Sequence, residues 1–353
     1  MYLLAFFDLL GKIYKIVPIC IIMKDFENSD LSWKEKKILK ELDIDARQSA
    51  SAIGKTLKMS KQVVNYHIDN MIKKGFIKEF ITYVDTQKLG YTFYNVLIKT
   101  KYTPNNEKEK IVNKLKAIPN VVWLSSFSGE WQMIVSVLAK DVGEFSMYLD
   151  EVLTALKGKL LDYNFFIVIS ASQLGYKNIH SSVKGNYNYH AKVGHRDMAD
   201  LSENDLKVLK FLANNAKIST VDLARKAQIT LEQVRYSLKK IEKEKVVQGY
   251  KPLINVAKMG YLWHVMFLRL KTTTEEQKEE MITFLKTLPE IFYVVRGVGN
   301  CNLMIEFQTK TLDEFEKVKD LVTTKFSHLI ADEKTVQLTE EHKCTYFPGS
   351  FGV

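Results

Sequence analysis

Apolar residues recur at three- and four-residue spacing in three short stretches early in the chain. Each stretch follows a residue suited to cap a helix. Ser32 precedes Trp33, Ile38, Leu39 and Leu42; Ser49 precedes Ala52, Ile53 and Leu57; Ser60 precedes Val64, Ile68 and Met71. A hydroxyl at the N-cap accepts a hydrogen bond from an otherwise unpaired first-turn amide, so the pattern predicts three helices. Gly75 is placed to stop the third in a left-handed conformation. The stretch Phe76 to Val84 then alternates and carries β-branched residues, which predicts a short two-stranded wing. Three short helices with a tight turn before the third, then a wing, describe a winged helix-turn-helix.

The period then changes. Tyr91 to Lys101 reads as a strand, Glu107 to Ile118 as an amphipathic helix, and Val121 to Ser126 and Gln132 to Leu138 as strands around Gly129. A helix from Gly143 to Leu156 and a strand from Asn164 to Ser170 complete the order β-α-β-β-α-β, the ferredoxin-like sandwich. The stretch 30–168 recurs as 200–338, at a constant shift of 170 residues. Asp30-Leu31-Ser32 returns as Asp200-Leu201-Ser202, Tyr66 as Tyr236, Gly90-Tyr91 as Gly260-Tyr261, and Glu144-Phe145 as Glu314-Phe315; about 29 of roughly 139 aligned positions are identical. The fold class is therefore α+β, with two winged helix-turn-helix domains and two ferredoxin-like sandwiches in tandem. The expected boundaries are an apolar extension at 1–29, helix-turn-helix units at 30–84 and 200–254, sandwiches at 85–172 and 255–342, a linker at 173–199 and a tail at 343–353. Rich in Asn, Ser, Gly, Tyr, Lys and His, the linker lacks an apolar period and reads as solvated.

Met1 to Met23 is apolar, but Asp8, Lys12, Lys15 and Pro18 interrupt it below the roughly 18 residues a spanning helix needs. No basic n-region or small-residue cleavage site marks a signal peptide. The expectation is an over-extended start, with Met23 as initiator, or a loosely docked apolar extension, and no membrane partner.

The chain of 353 residues carries a net charge of +10. Residues 30–83 and 200–253 each hold eleven Lys and Arg against seven Asp and Glu, and the linker adds a further surplus. The excess thus sits in the helix-turn-helix units and their connector, as a binder of double-stranded DNA requires. Cys20, Cys301 and Cys344 are far apart and form no zinc ribbon or disulfide framework, so a cytoplasmic protein is expected. His180, His190 and His195 fall in the linker without nearby cysteines or clustered carboxylates; no metal, cofactor or catalytic residue set is expected.

On the third helix, 100° per residue from Val64 places Gln62, Tyr66 and Lys73 opposite the apolar stripe, with Asn65 beside them. The second copy presents Glu232, Tyr236 and Lys243 there, flanked by Arg235 and Lys239. Helix N-terminal residues of such a unit enter the major groove, while its backbone amides and the caps Ser60 and Thr230 meet phosphates; Lys61 and Gln233 complete the DNA-binding candidates. Gln and Asn read adenine and Arg reads guanine, so the unlike faces should read different half-sites. For Tyr66 and Tyr236 a second reading is packing against the wing.

The chain resembles the Lrp/AsnC family of feast/famine regulators. The family pattern Ser-x-x-x-Val-x-x-Arg-Ile-x-x-Leu-Glu-x-x-Gly-x-Ile appears as Ser60, Val64, Ile68, Met71, Gly75 and Ile77, and again as Thr230, Val234, Leu238, Ile241-Glu242 and Val247. His67 and Ser237 replace its arginine and Lys245 its glycine. The resemblance implies a DNA-binding transcription regulator whose sandwich, the RAM domain, pairs with a second copy through its sheet and takes a small-molecule effector. Here that pairing is expected within the chain, with homo-oligomers beyond it. The family's effector turn, Gly-Asp-x-Asp, corresponds to Gly129, Glu130 and Gln132, and to Gly299, Asn300 and Asn302. Either these residues bind an effector or the glycines simply make a hairpin turn. An effector-sensing or protein-binding module without DNA binding is the alternative. Sirohaem decarboxylases share the architecture, but resemble one another in His-Asn-Tyr and Tyr-Asn-Trp-Phe segments. This chain has Trp123-Leu124-Ser125 and Glu130-Trp131-Gln132 at those places, and Phe292-Tyr293-Val294 and Asn300-Cys301-Asn302 in the second copy. No enzyme is therefore expected.

Overall fold

The computed structural model describes residues 31–180, the backbone of 189–192, and 198–349. The apolar extension, His195 and the end of the tail lie outside the described residues. The first helix-turn-helix comprises α1 (Trp33–Ile44), α2 (Ala50–Leu57) and α3 (Lys61–Lys73), capped by Ser32, Ser49 and Ser60. β1 (Ile77–Val84) leads into the first sandwich: β2 (Thr92–Thr100), α4 (Asn105–Ala117), β3 (Val121–Ser128), β4 (Met133–Ala139), α5 (Val142–Ala155) and β5 (Leu160–Gln173). A short α6 (Lys177–His180) and β6 (Tyr189–Lys192) precede the second copy. That copy runs α7 (Glu203–Ala213), α8 (Thr220–Ala227), α9 (Leu231–Lys243), β7 (Val247–Ile254), β8 (Leu262–Leu270), α10 (Glu275–Thr287), β9 (Ile291–Gly299), β10 (Leu303–Thr309), α11 (Leu312–Lys325) and β11 (Ile330–Cys344).

The two sandwich sheets close into one ring, in the order β2-β4-β3-β11-β8-β10-β9-β5 and back to β2, with β6 added outside β5. Closure depends on the long final strands. The first part of β5 pairs with β2 of its own copy and the rest with β9 of the other. Likewise β11 pairs first with β8 and then with β3. Registers match across the repeat: Ile167 faces Val298, and Gln337 faces Ser128. Closing a sheet on itself leaves no long open edge for aggregation. Leu97, Phe127, Ile134, Phe166, Val265, Phe267, Val295 and Met304 meet in the interior. Outside the ring, α4 and α5 cover the first sheet and α10 and α11 the second.

The wing differs from the sequence expectation. Each copy contributes a single strand, and β1 pairs antiparallel with β7 rather than forming a hairpin. Phe76 to Val84 has the alternation of a strand but no turn within it, so a partner had to come from elsewhere. In the observed register Ile81 faces Lys251, its own counterpart at the 170-residue shift. A pseudo-two-fold axis therefore passes through this pair. Equivalent hydrogen bonds brace the units on either side. Ala46 N donates to Tyr250 O (2.9 Å) and Ala216 N to Phe80 O (2.8 Å); Asp85 N donates to Val246 O and Asn255 N to Phe76 O, both at 2.8 Å.

Cores cross the repeat as well. Ile38, Leu39, Leu42, Val64 and Met71 of the first helix-turn-helix enclose Ile254, Val256 and Met259 of the second copy. Val208, Leu209, Leu212, Val234 and Ile241 enclose Val84, Leu89 and Tyr91 of the first. Each helix-turn-helix unit thus completes its core with the other copy's connector, so neither is closed on its own.

The start of the linker is not solvated. Leu174, Tyr176 and Ile179 are buried, and His180, read as a solvated linker residue, is buried against Asp43 with Nε2 3.0 Å from Oδ2. The missing apolar period is that of one helical turn, too short to show periodicity. Asp43, wholly buried at the end of α1, also accepts from Tyr176 N at 3.0 Å, and Lys251 Nζ donates to its carbonyl and lies 3.5 Å from Oδ1. Burial opposes ionisation of Asp43, but Lys251, His180 and the Tyr176 amide outweigh it and hold the carboxyl below its usual value.

Removing one partner of a buried ion pair leaves the other uncompensated. Asp43→Asn should therefore destabilise the chain by about 3–5 kcal/mol, read from urea midpoints at pH 7. Because the folded pKa is depressed, this stabilisation is complete above the unfolded carboxyl value of about 4 and is lost as pH falls through the lower folded value. The variant should differ least from wild type in strong acid.

Candidate nucleic-acid interface and effector sites

α3 and α9 are built alike at both ends. Ser60 Oγ accepts from Val63 N at 3.2 Å; Thr230 forms a full capping box with Gln233, whose Oε1 accepts from Thr230 N at 2.9 Å. Gln233 is thus tied to its own helix start. At the other end Phe76 N reaches Met71 O and Gly75 N reaches Ile72 O, with the glycine at φ +71°. This double bond pattern satisfies the last carbonyls and demands a left-handed residue after the cap. The second copy repeats it with Val246 N to Ile241 O and Lys245 N to Glu242 O, but with Lys245 forced to φ +55°.

Ser60, Lys61, Gln62, Asn65, Tyr66 and Lys73 all face outward, as do Thr230, Glu232, Gln233, Arg235, Tyr236, Lys239 and Lys243. Tyr66 is 67% exposed and Tyr236 69%, so neither ring packs against the wing. Val64, Ile68 and Met71, and Val234 and Ile241, face the cores, which fixes the rotation of both helices. Lys55 of α2 and Lys58 at its C-cap are exposed too, as are Arg225 and Lys226 of α8. Sequence reading passed over these four; their position one turn before each recognition helix was the available signal.

The effector-turn residues meet the other copy instead. Glu130 pairs with Lys334 at 2.6 Å, and at the equivalent place Asn300 Nδ2 donates to Asn164 Oδ1. A side chain at Gly129 (φ +139°) would lie 2.9 Å from Val336 Cγ1, and one at Gly299 (φ +124°) 3.0 Å from Phe165 O. These glycines admit the strands that cross from the other copy. Gln132 Oε1 accepts from Thr100 N and Asn302 Oδ1 from Leu270 N, extending β2 and β8. Glu130 and Asn300 thus join the two sandwiches, while Gln132 and Asn302 bond within their own copies.

A cavity of about 80 Å³ lies instead inside the ring, beneath the β1–β7 ribbon. Trp123, Trp263, Phe292, Tyr293, Tyr83 and Tyr346 line it, with Glu306 and Glu341. Trp263 Nε1 donates to Glu306 Oε2 at 3.1 Å, and Trp123 Nε1 to Glu341 Oε1 at 3.3 Å. Lys78 stands 3.4 Å from Glu341 Oε2. Burial, then the neighbouring Glu341 carboxylate, push Glu306 up to about 8. Sequence reading missed this site, although Glu306 is the one charged residue in the otherwise uncharged strand Leu303–Thr309. Among the described residues no group of three or more His, Cys, Asp and Glu side chains is placed to hold a metal ion. No helix there is long and apolar enough to cross a membrane.

Paired winged helix-turn-helix units on joined RAM-type sandwiches define the class. A family model for winged helix-turn-helix DNA-binding matches residues 34–78 and 201–248, and one for the Lrp/AsnC ligand binding domain matches residues 95–172. The chain is 32% identical over 128 residues to the uncharacterized HTH-type transcriptional regulator PH1055 of Pyrococcus horikoshii, covering 36% of this chain and 80% of that one. It is 30% identical to the HTH-type transcriptional regulator Ptr1 of Methanocaldococcus jannaschii, over 33% of this chain and 76% of that one. Among solved structures, the siroheme decarboxylase NirDL aligns over 88% of this chain and 92% of its own, with a TM-score of 0.57 at 12% identity, which shows a shared fold. The chain belongs to the Lrp/AsnC family of helix-turn-helix transcription regulators.

Lys245 carries a testable cost. An L-residue in the left-handed region is strained, so Lys245→Gly should stabilise the chain by about 0.5–1 kcal/mol, measured by the denaturant midpoint at unchanged m.

Proposed function

We propose that the chain is a sequence-reading regulator that carries a whole two-fold DNA-binding head in one polypeptide. The observation behind this reading is the β1–β7 ribbon with its axis at Ile81 and Lys251: it relates α3 and α9 as two subunits of a dimer would be related. Because the two faces are unlike, the operator is an imperfect palindrome. Gln62 and Asn65 read one half-site and Arg235 with Glu232 the other, while Lys61, Lys73, Lys239 and Lys243 meet phosphates and the capped helix starts at Ser60 and Thr230 approach the backbone. Tyr66 and Tyr236 lie on the groove-facing side of their helices. The protein works in the cytoplasm, without cofactor or catalysis, responds to a small-molecule effector, and assembles further copies of itself. Its likeness to siroheme decarboxylase NirDL is one of fold. A head that senses effectors or binds protein without DNA is the reading that the following measurements separate from this one.

Half-site centres should lie on one face of the duplex, a whole number of turns of about 10.5 base pairs apart. Footprinting on operators selected from random DNA checks the spacing. Log affinity should fall linearly with log salt, at about −0.9 per phosphate contacted. Lys73→Ala or Lys243→Ala should weaken all sequences alike and flatten the slope by about one contact. Gln62→Ala or Arg235→Ala should each relax one half-site by about 1–3 kcal/mol of discrimination. Salt-independent affinity, or loss of both half-sites from Arg235→Ala, would overturn the reading.

A further inference from the structure

The cavity inside the ring has aromatic rings on most sides and two carboxyl groups; among the described residues no lysine, arginine or histidine lines it. Glu341 has Lys78 as its cation. Glu306, 4% exposed, has none among the described residues, its polar contact being the Trp263 indole. Two residues further along β10, Gln308 is buried with both amide atoms unpaired among the described residues, as is Gln173 at the end of β5. The fold does not require a carboxyl here. At the place of Glu306 the first copy has Ser136, whose hydroxyl bonds to Asn95 in a neutral pair. A carboxyl out of water without a cation is costly, so its presence in only one copy calls for a reason beyond packing.

Ring faces around an unpaired carboxyl are the chemistry that receives an organic ammonium ion. The rings attract the cation through their quadrupoles, and the carboxylate supplies the counter-charge. The space of about 80 Å³ is far below the roughly 300–1,000 Å³ of pockets for drug-sized ligands, so the guest is small. A free amino acid fits poorly, because its own carboxylate would face Glu306 and Glu341 with no cation in the lining to meet it. We propose that this cavity binds a small alkylammonium ion, an amine rather than an amino acid, with Glu306 as counter-ion and Trp263 and Tyr293 among the ring walls. The site stands or falls without DNA.

Calorimetric and thermal-shift titrations of the full chain, free of DNA, test it with isobutylammonium, tetramethylammonium, valine and isobutanol. Both ammonium ions should bind and raise Tm with the logarithm of their concentration. Valine, which is isobutylammonium with an added carboxylate, and isobutanol, its neutral analogue, should bind at least about 10-fold more weakly. Glu306→Gln keeps the shape and the Trp263 hydrogen bond; it should weaken both ammonium ions by about 10-fold or more. Trp263→Phe should weaken them too, with far-UV circular dichroism confirming the fold of each variant. Equal affinity for valine or isobutanol, no binding of either ammonium ion, or binding indifferent to Glu306→Gln would each overturn the site. Should the glutamine variant fail to fold, the comparison of isobutylammonium with valine and isobutanol on the wild-type chain decides.

Discussion

β5 and β11 are each long enough to leave the sheet in which they begin, and that exchange joins the two halves of the molecule. Leu160 to Ile167 completes the first sheet, while Phe166 to Gln173 pairs with β9 of the second. β11 does the same in reverse with β8 and β3. A four-stranded sheet with one bare face and an open edge is a liability in water. Two such sheets that lend each other a strand close into a ring and bury both inner faces. The crossing strands need room where they pass the β3–β4 and β9–β10 turns. Gly129 and Gly299 supply it, and the polar residues beside them fasten the crossing.

The ribbon repeats the same device above the ring. β1 and β7 are single strands without a hairpin partner, so each satisfies its amides only by pairing with the other. Each helix-turn-helix then packs over the connector of the opposite copy. The recognition helices are consequently set in place by contacts between copies. The covalent chain thus brings both halves of this head together within one polypeptide.

Within a symmetric frame the chemistry is one-sided. The Asp43, Lys251 and His180 cluster occurs once, since Ala213 and Ile81 stand at the equivalent places of the two ion-pair residues. Ser136 stands at the place of Glu306 in the other copy, and Phe93 at that of Trp263. The recognition faces differ in the same way. Duplication fixes the backbone plan, which depends on apolar spacing, caps and glycines, and leaves individual polar positions free to diverge.

What the sequence alone determined is local. The N-caps at Ser32, Ser49, Ser60, Ser202, Ser219 and Thr230 depend on a side chain and an amide three residues away. The strand and helix order and the outward faces of α3 and α9 follow from period alone. A constant 170-residue shift revealed the duplication because register survives where identity does not. Only the tertiary structure decided which strand each strand pairs with, since alternation in Phe76 to Val84 reports a strand and not its partner. It also decided that the turns at Gly129 and Gly299 are crossings, that His180 is buried, and that Glu306 faces a cavity. Each depends on contacts between residues tens to hundreds of positions apart, and no local pattern carries that information.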